Sequence, residues 1–119
     1  MVPGDAFYLN VIDSHRYFVL HSSVNPSHKV LVFNFTTHRP GQCDETCIVL
    51  PSEYSGIAHN SVVMYSQGRL MEDPVLSNFK AAIGAALPPI GNDILLRIKA
   101  GALTSIHTPK KIKTFLLQQ

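Results

Sequence analysis

Short apolar runs alternate with polar turns along the N-terminal part of the chain, a pattern typical of short β-strands. In the first run apolar side chains recur at every second position, which predicts a strand from Ala6 to Ile12. Lys29–Thr37 is nearly continuous in β-branched and aromatic residues, so we expect a central strand that is buried on both faces. Three shorter runs predict further strands at Tyr17–Leu20, Thr46–Leu50 and Ser61–Tyr65.

The pattern changes after residue 72, where apolar residues begin to recur at helical spacing. Asp73 and Pro74 suit the N-cap and the first position of a helix, which Pro88–Pro89 would end. We expect a second helix from Asn92 or Asp93 to about Ala100, stopped by Gly101. A third helix would begin at Thr108–Pro109.

Short strands followed by helices predict a mainly β, α+β fold, in which helices pack on a small, partly closed barrel. The length of 119 residues suits one domain. We therefore assign residues 1–119 to a single domain, with the β-barrel at about 4–72 and the helical part at about 73–119.

Hydrophobic residues make up 45% of the chain and charged residues 15%, a composition that builds a core and leaves apolar surface for a partner. The net charge of +2 permits an RNA or phosphate partner without requiring one. The N-terminus has no signal-peptide pattern and no apolar run is long enough to span a bilayer. We therefore expect a cytoplasmic protein that has no membrane partner.

The two cysteines and six histidines are the candidate metal ligands. Cys43 and Cys47 are separated by Asp44, Glu45 and Thr46, whereas a zinc knuckle usually has glycine or proline between its cysteines, and there is no second cysteine pair. We therefore expect free thiols, no metal and no other cofactor.

The chain has no P-loop, no GxGxxG, no GxSxG and no HExxH motif, which disfavours nucleotide hydrolysis, dinucleotide chemistry and serine hydrolysis. Arginine, threonine, serine and histidine side chains remain at predicted strand ends. Such groups suffice for metal-free RNA cleavage, in which the 2′-hydroxyl of the RNA is the nucleophile. His15–Arg16 and His38–Arg39 each combine a proton-transfer group with a fixed positive charge.

The order of these segments resembles that of the MazF/PemK/Kid family of toxin endoribonucleases, over about residues 4–87. The similar features are a Gly-Asp turn, an arginine that introduces the second strand, a threonine motif that ends the third, and a later apolar strand: Gly4–Asp5, Arg16, Phe35–Thr37 and Ser61–Leu70. The chain is similar in particular to a diverged branch of this superfamily, through Cys43–Cys47, Pro51–Tyr54, His59 and Ser61–Tyr65.

The resemblance implies an SH3-like barrel that forms homodimers, cleaves single-stranded RNA and pairs with an antitoxin in a type II toxin–antitoxin system. It implies that Arg16 stabilises the scissile phosphate and donates a proton, and that Thr36 helps to hold that phosphate. We add His15 as a candidate base. Four further residues are candidate RNA contacts: Thr37, His38, Arg39 and Arg69.

The alternative is a non-catalytic PemK-like barrel that acts as a protein-interaction or nucleic-acid-binding module. Tyr17 stands where the family has proline, and the loop before Arg16 is short, which favours this alternative. Lysines near the C-terminus favour RNA contact by an endoribonuclease or by a nucleic-acid-binding module: Lys110, Lys111 and Lys113.

Overall fold

The computed structural model of the protein describes residues 3–10, 14–22, 29–72 and 85–118. The strands are Ala6–Asn10 (β1), Ser14–Ser22 (β2), Lys29–Thr37 (β3), Ile48–Val49 (β4), Ser61–Val63 (β5), Arg69–Glu72 (β6) and Ala85–Leu87 (β7). A 3-10 helix spans Tyr65–Gln67, and the α-helices are Asn92–Thr104 (α1) and Lys110–Leu117 (α2). Within the described ranges, no helix has both the length and the apolar character needed to cross a bilayer.

The strands form one antiparallel sheet around β3, so the chain has an α+β fold. β2 pairs along one edge of β3, and two strands, β5 and β6, share the other edge. Phe35–Thr37 pair with β5 there, and Lys29–Val32 pair with β6. The path β4-β5-β3-β2-β1-β7 has no pairing between its ends among the described strands, so the sheet is open in this part of the chain.

The two faces of β3 contribute to two clusters of buried side chains. Leu31, Phe33 and Phe35 lie in the main core, which also contains Ile98 of α1 and Ile112 of α2. The intervening Val30 and Val32 lie in a smaller cluster with Phe7 and Val19. The prediction that β3 is buried on both faces is therefore confirmed.

Helix α1 approaches the 3-10 helix closely at Gly101. The Tyr65 side chain is fully buried beside the helix, and its hydroxyl donates a hydrogen bond of 2.8 Å to the Ile98 carbonyl. A Cβ atom at position 101 would fall on that hydroxyl and lie 2.9 Å from Tyr65 Cζ. Gly101 is thus a packing position. The prediction that it stops the helix is wrong, since α1 continues to Thr104.

The predicted helix from Asp73 to Pro88 lies largely outside the described residues, but its last residues are described and form a strand. Ala85–Leu87 pair antiparallel with Ala6–Tyr8 as β7, so the helical prediction is wrong there. The sheet consequently extends beyond residue 72, where the barrel was expected to end. The unpaired edge of β1 supplies hydrogen-bonding partners that outweigh the helix propensity of alanine.

Candidate functional site

A small cleft opens beside Arg16, where β2, β3 and β5 meet. It has a volume of about 130 Å³ and is lined by Arg16, Phe35, Thr36, Thr37, Ile57, Ala58, His59 and Ser61. The strand register explains this grouping, because Arg16 lies opposite Phe35, and Thr37 lies opposite Ser61. We call it the Arg16 cleft.

The Arg16 side chain is half-buried and held by its neighbours in the sheet. Its guanidinium carbon lies 5.5 Å from the centre of the Tyr8 ring, within the range of a cation–π contact. Its Nε atom is buried and has no hydrogen-bond partner among the described residues. A buried N–H without an acceptor is unfavourable, so the sheet holds this guanidinium beside the cleft at a cost in free energy.

Tyr54 lies close enough to Arg16 for the charge to affect its ionisation. Burial raises the pKa of Tyr54 to about 12, while the positive charge of Arg16 acts in the opposite direction. The Tyr54 hydroxyl donates a hydrogen bond of 2.6 Å to the Pro88 carbonyl. This phenol is therefore a neutral donor that is already engaged, and Arg16 is the charged group of the cleft.

Alternation along β3 separates the two threonines at its end. Arg16 lies opposite Phe35, and cross-strand partners point to the same face of a sheet. Thr37 shares that face, since it is two residues from Phe35, whereas Thr36 shares the other face with Val32. Both threonines border the cleft, but Thr37, and not the predicted Thr36, is the one on the side of Arg16.

His59 supplies an imidazole to this cleft. It precedes β5, and the Ser61 hydroxyl donates a hydrogen bond of 2.8 Å to its backbone carbonyl, which fixes the approach to the strand. The sequence reading did not select His59, because a single loop histidine is more often solvated than catalytic. His15, the predicted base, lies in β2 opposite Leu9, and its role stays a prediction.

A larger cleft adjoins the first one. Its volume is about 460 Å³, and it shares Thr36 and Thr37 with the Arg16 cleft. We call it the Arg39 cleft. Its other lining residues are Arg39, Gln42, Cys43, Asp44, Met64, Ser66 and His107.

Hydrogen bonds within the loop that follows β3 fix one wall of the Arg39 cleft. His38 Nε2 donates to Glu45 Oε2 over 2.7 Å, and the Gly41 amide donates to Glu45 Oε1 over 3.1 Å. These two bonds lower the pKa of Glu45. Gly41 has a φ of 75°, a conformation that glycine adopts without strain. His38, predicted to contact RNA, is thus engaged in bracing the loop.

Asp44 joins this loop to the segment between the two helices. Its Oδ2 accepts a hydrogen bond of 2.6 Å from the Ser105 hydroxyl, and its Oδ1 accepts bonds from the Thr46 amide and hydroxyl. Burial raises the pKa of Asp44, but these hydrogen bonds outweigh it, and the net pKa is lowered. The Ser105 Oγ also accepts a bond from the His107 amide, so His107 is held at the cleft.

Arg69 is separate from both clefts. It lies in β6 opposite Val32, which is four residues along β3 from Thr36, or about 13 Å in an extended strand. The structure therefore groups Arg16, Thr36, Thr37 and Arg39 around two adjoining clefts and leaves Arg69 outside them.

Cys43 and Cys47 are free thiols in the structure. Cys47 is buried, and the half-buried Cys43 donates a hydrogen bond of 3.2 Å to the Arg39 carbonyl. Where residues are described, no three of the His, Cys, Asp and Glu side chains lie close enough to hold a metal ion.

No model of a known protein family matches the chain, and a search among curated proteins finds no match. We therefore argue function from the geometry and chemistry of the two clefts.

Proposed function

We propose that the protein is an endoribonuclease that cleaves single-stranded RNA by attack of the RNA's own 2′-hydroxyl, without a metal ion. The observation that carries this proposal is the Arg16 side chain, which lines a small polar cleft and lies over the Tyr8 ring, while its buried Nε has no acceptor among the described residues. The similarity of segment order to MazF/PemK/Kid toxins supports the choice of RNA as the substrate.

The Arg16 cleft would hold the scissile phosphate. At about 130 Å³ it is smaller than the roughly 300–1,000 Å³ of typical small-molecule sites, so it suits a phosphate group and excludes a base. A guanidinium donates to two phosphate oxygens at once, and the Thr37 hydroxyl on the same face would add a third donor. Both groups are fixed by strand pairing before the substrate binds, and preorganised donors of this kind stabilise charge that develops in a transition state.

His59 would take the proton from the 2′-hydroxyl while the 2′-oxygen bonds to phosphorus. The bond from phosphorus to the 5′-oxygen then breaks, and solvent protonates that oxygen. The products are a 2′,3′-cyclic phosphate and a 5′-hydroxyl, with no change in oxidation state. His15 is the other candidate for the base.

We further propose that the open sheet belongs to an SH3-like, partly closed barrel, and that the protein acts in the cytoplasm as the homodimeric toxin of a type II pair. Leu96 and Leu103 are exposed and seven residues apart on α1, which places them on one face of the helix and offers apolar surface for a second copy. An antitoxin would inhibit the enzyme by covering the two clefts.

The test is cleavage of a mixed-sequence RNA in the presence of a chelator, followed by analysis of the new ends. We expect cyclic phosphate ends from the wild type, and a rate lower by about two to three powers of ten in Arg16→Ala and Arg16→Lys. Arg69→Ala is the matched control, because Arg69 lies on the same sheet outside both clefts. His59→Ala and His15→Ala, compared in the same assay, identify the base.

Two results would contradict the proposal: a folded wild type that cleaves no RNA, or Arg16→Ala that cleaves as fast as the wild type. Either result would favour the non-catalytic module, and RNA binding by the same variants would then show whether its partner is nucleic acid.

A further inference from the structure

We propose that the Arg39 cleft binds the nucleobase next to the scissile phosphate and that it prefers guanine. This inference rests on the proposed function, in which the Arg16 cleft holds the phosphate. It adds a specificity site, and assigns the selection of sequence to residues that take no part in the cleavage step.

The size and position of the two clefts match the two parts of a nucleotide. The Arg39 cleft, at about 460 Å³, falls in the range of roughly 300–1,000 Å³ that small-molecule sites occupy, whereas the Arg16 cleft is much smaller. The clefts share Thr36 and Thr37, so a phosphate in one is adjacent to the other. A nucleoside bonded to that phosphate can therefore reach the larger cleft.

The lining of the Arg39 cleft combines a strong donor with a strong acceptor. Arg39 has an exposed guanidinium, and Asp44 is a carboxylate whose lowered pKa keeps it ionised at neutral pH. Asp44 accepts one hydrogen bond from Ser105 and two from Thr46. A carboxylate has about four acceptor positions, so one position remains for a ligand. Gln42 adds an amide that can donate or accept.

Guanine fits this set better than the other bases. Its O6 and N7 are adjacent acceptors, which an arginine binds with two parallel hydrogen bonds, and its N1–H and N2–H₂ are adjacent donors that suit Asp44 and Gln42. Adenine, cytosine and uracil each lack either the two adjacent acceptors or the two adjacent donors. The wall that carries Arg39 is braced by the bonds from His38 and Gly41 to Glu45, which reduces the loss of freedom on binding.

The experiment measures binding to RNA that cannot be cleaved. Four fluorescent 2′-O-methyl pentamers, UUGUU, UUAUU, UUCUU and UUUUU, are titrated with the full chain and followed by anisotropy. We expect the guanine pentamer to bind about tenfold more tightly than the others. Arg39→Ala should reduce this preference to less than about twofold. Its loop should stay intact, because the Arg39 carbonyl, and not its side chain, accepts the bonds from Gln42 and Cys43.

Arg69→Ala is again the matched control and should keep the preference for guanine. Equal affinity for all four pentamers, in a protein that cleaves mixed RNA, would overturn the guanine site and leave the proposed function intact. A guanine preference that persists in Arg39→Ala would overturn the assignment to this cleft. Absence of both binding and cleavage would overturn the inference together with the proposed function.

Discussion

Arg16 is surrounded by residues that are distant from it along the chain. Tyr8 lies under the guanidinium from β1, and Phe35 lies opposite it in β3. A planar guanidinium can stack on the ring and still present two N–H groups to an anion, which a lysine ammonium cannot do. The arginine at this position therefore fixes the orientation of a bound anion and also supplies positive charge. Arg16→Lys keeps the charge and removes the planar donor group, so it tests the mechanism.

The two threonines at the end of β3 should differ in their importance for cleavage. We expect Thr37→Val to lower kcat/KM by about tenfold or more, the effect of losing a hydrogen bond to a charged group. Thr36→Val should change it by less than about threefold, since that side chain lies on the opposite face from Phe35. Valine keeps the β-branched shape in both variants, so thermal unfolding serves as the control. A larger loss in Thr36→Val would contradict this assignment.

Gly101→Ala should destabilise the fold, although alanine in place of glycine usually stabilises a helix by about 0.5–1 kcal/mol. The added Cβ would collide with the Tyr65 hydroxyl, and overpacking of a core typically costs about 1–3 kcal/mol. The free energy of unfolding in urea measures the effect. In a Tyr65→Phe background the cost of Gly101→Ala should be smaller, since the colliding oxygen is gone. A stabilised Gly101→Ala would show that the helix can shift to make room.

From the sequence, Thr36 was expected to hold the phosphate together with Arg16, whereas the strand register places Thr37 on the face of Arg16. That placement depends on the register Arg16–Phe35, and a shift of one residue would reverse it. His59 was noted only as part of the family resemblance and not as a site residue, because the pairing of β5 with β3 that brings it to the cleft is not evident in its local sequence.

Between elements, the loops on either side of β4 are attached to the helical part by charged groups. Asp44 bonds to Ser105 before the strand, and Glu53 pairs with Arg97 of α1 after it. The Arg97 guanidinium contacts both oxygens of Glu53, at 2.5 and 3.1 Å, and also donates to the Ile48 carbonyl over 2.8 Å. The helix thus fixes a strand that is only two residues long.

This attachment should weaken in acid. The hydrogen bond from Arg97 lowers the pKa of Glu53 to about 2, from an ordinary value of 4.5. Because the carboxylate is favoured in the folded state, its contribution is complete above pH 4.5 and is lost as the pH falls towards 2. We expect the difference in unfolding free energy between wild type and Glu53→Gln to be constant from pH 5 to 7 and to shrink below that. A difference that does not change down to pH 2.5 would contradict the role of this carboxylate.

Strands with a strong local pattern of apolar residues were predicted from the sequence, and strands with a weak pattern were not. β3 was predicted with its observed bounds, because its apolar run is long and rich in β-branched residues. Ala85–Leu87 was assigned to a helix, because a few alanines carry helix propensity while the partner strand lies far back in the chain. β6 was not predicted as a strand, since Arg69–Glu72 is short, with only Leu70 and Met71 apolar, and depends on pairing with β3.

For the whole molecule, we expect a dimer at micromolar concentration that uses the exposed apolar face of α1. Leu96 is 59% exposed, and its burial by a second copy would be favourable. Sedimentation velocity should show the dimer in the wild type and a monomer in the double variant Leu96→Glu, Leu103→Glu. Leu117→Glu is the control, because Leu117 is also an exposed leucine but lies on α2. A monomeric wild type would remove dimerisation from the proposal.

The pairing of β1 with β7 has a consequence for how the protein is made. β1 ends at Asn10 and β7 begins at Ala85, so the two paired strands are far apart in the sequence. The hydrogen bond from the Ile90 amide to the Gly4 carbonyl joins residues with a similar separation along the chain. At a translation rate of about 5–20 residues per second, roughly 4–15 seconds separate the synthesis of the two strands. His107, which lines the Arg39 cleft, and Ser105, whose hydroxyl donates to Asp44, are translated later still. A nascent chain would therefore carry an unfinished Arg39 cleft, so under the proposed function the site that selects the RNA is completed only near the end of translation.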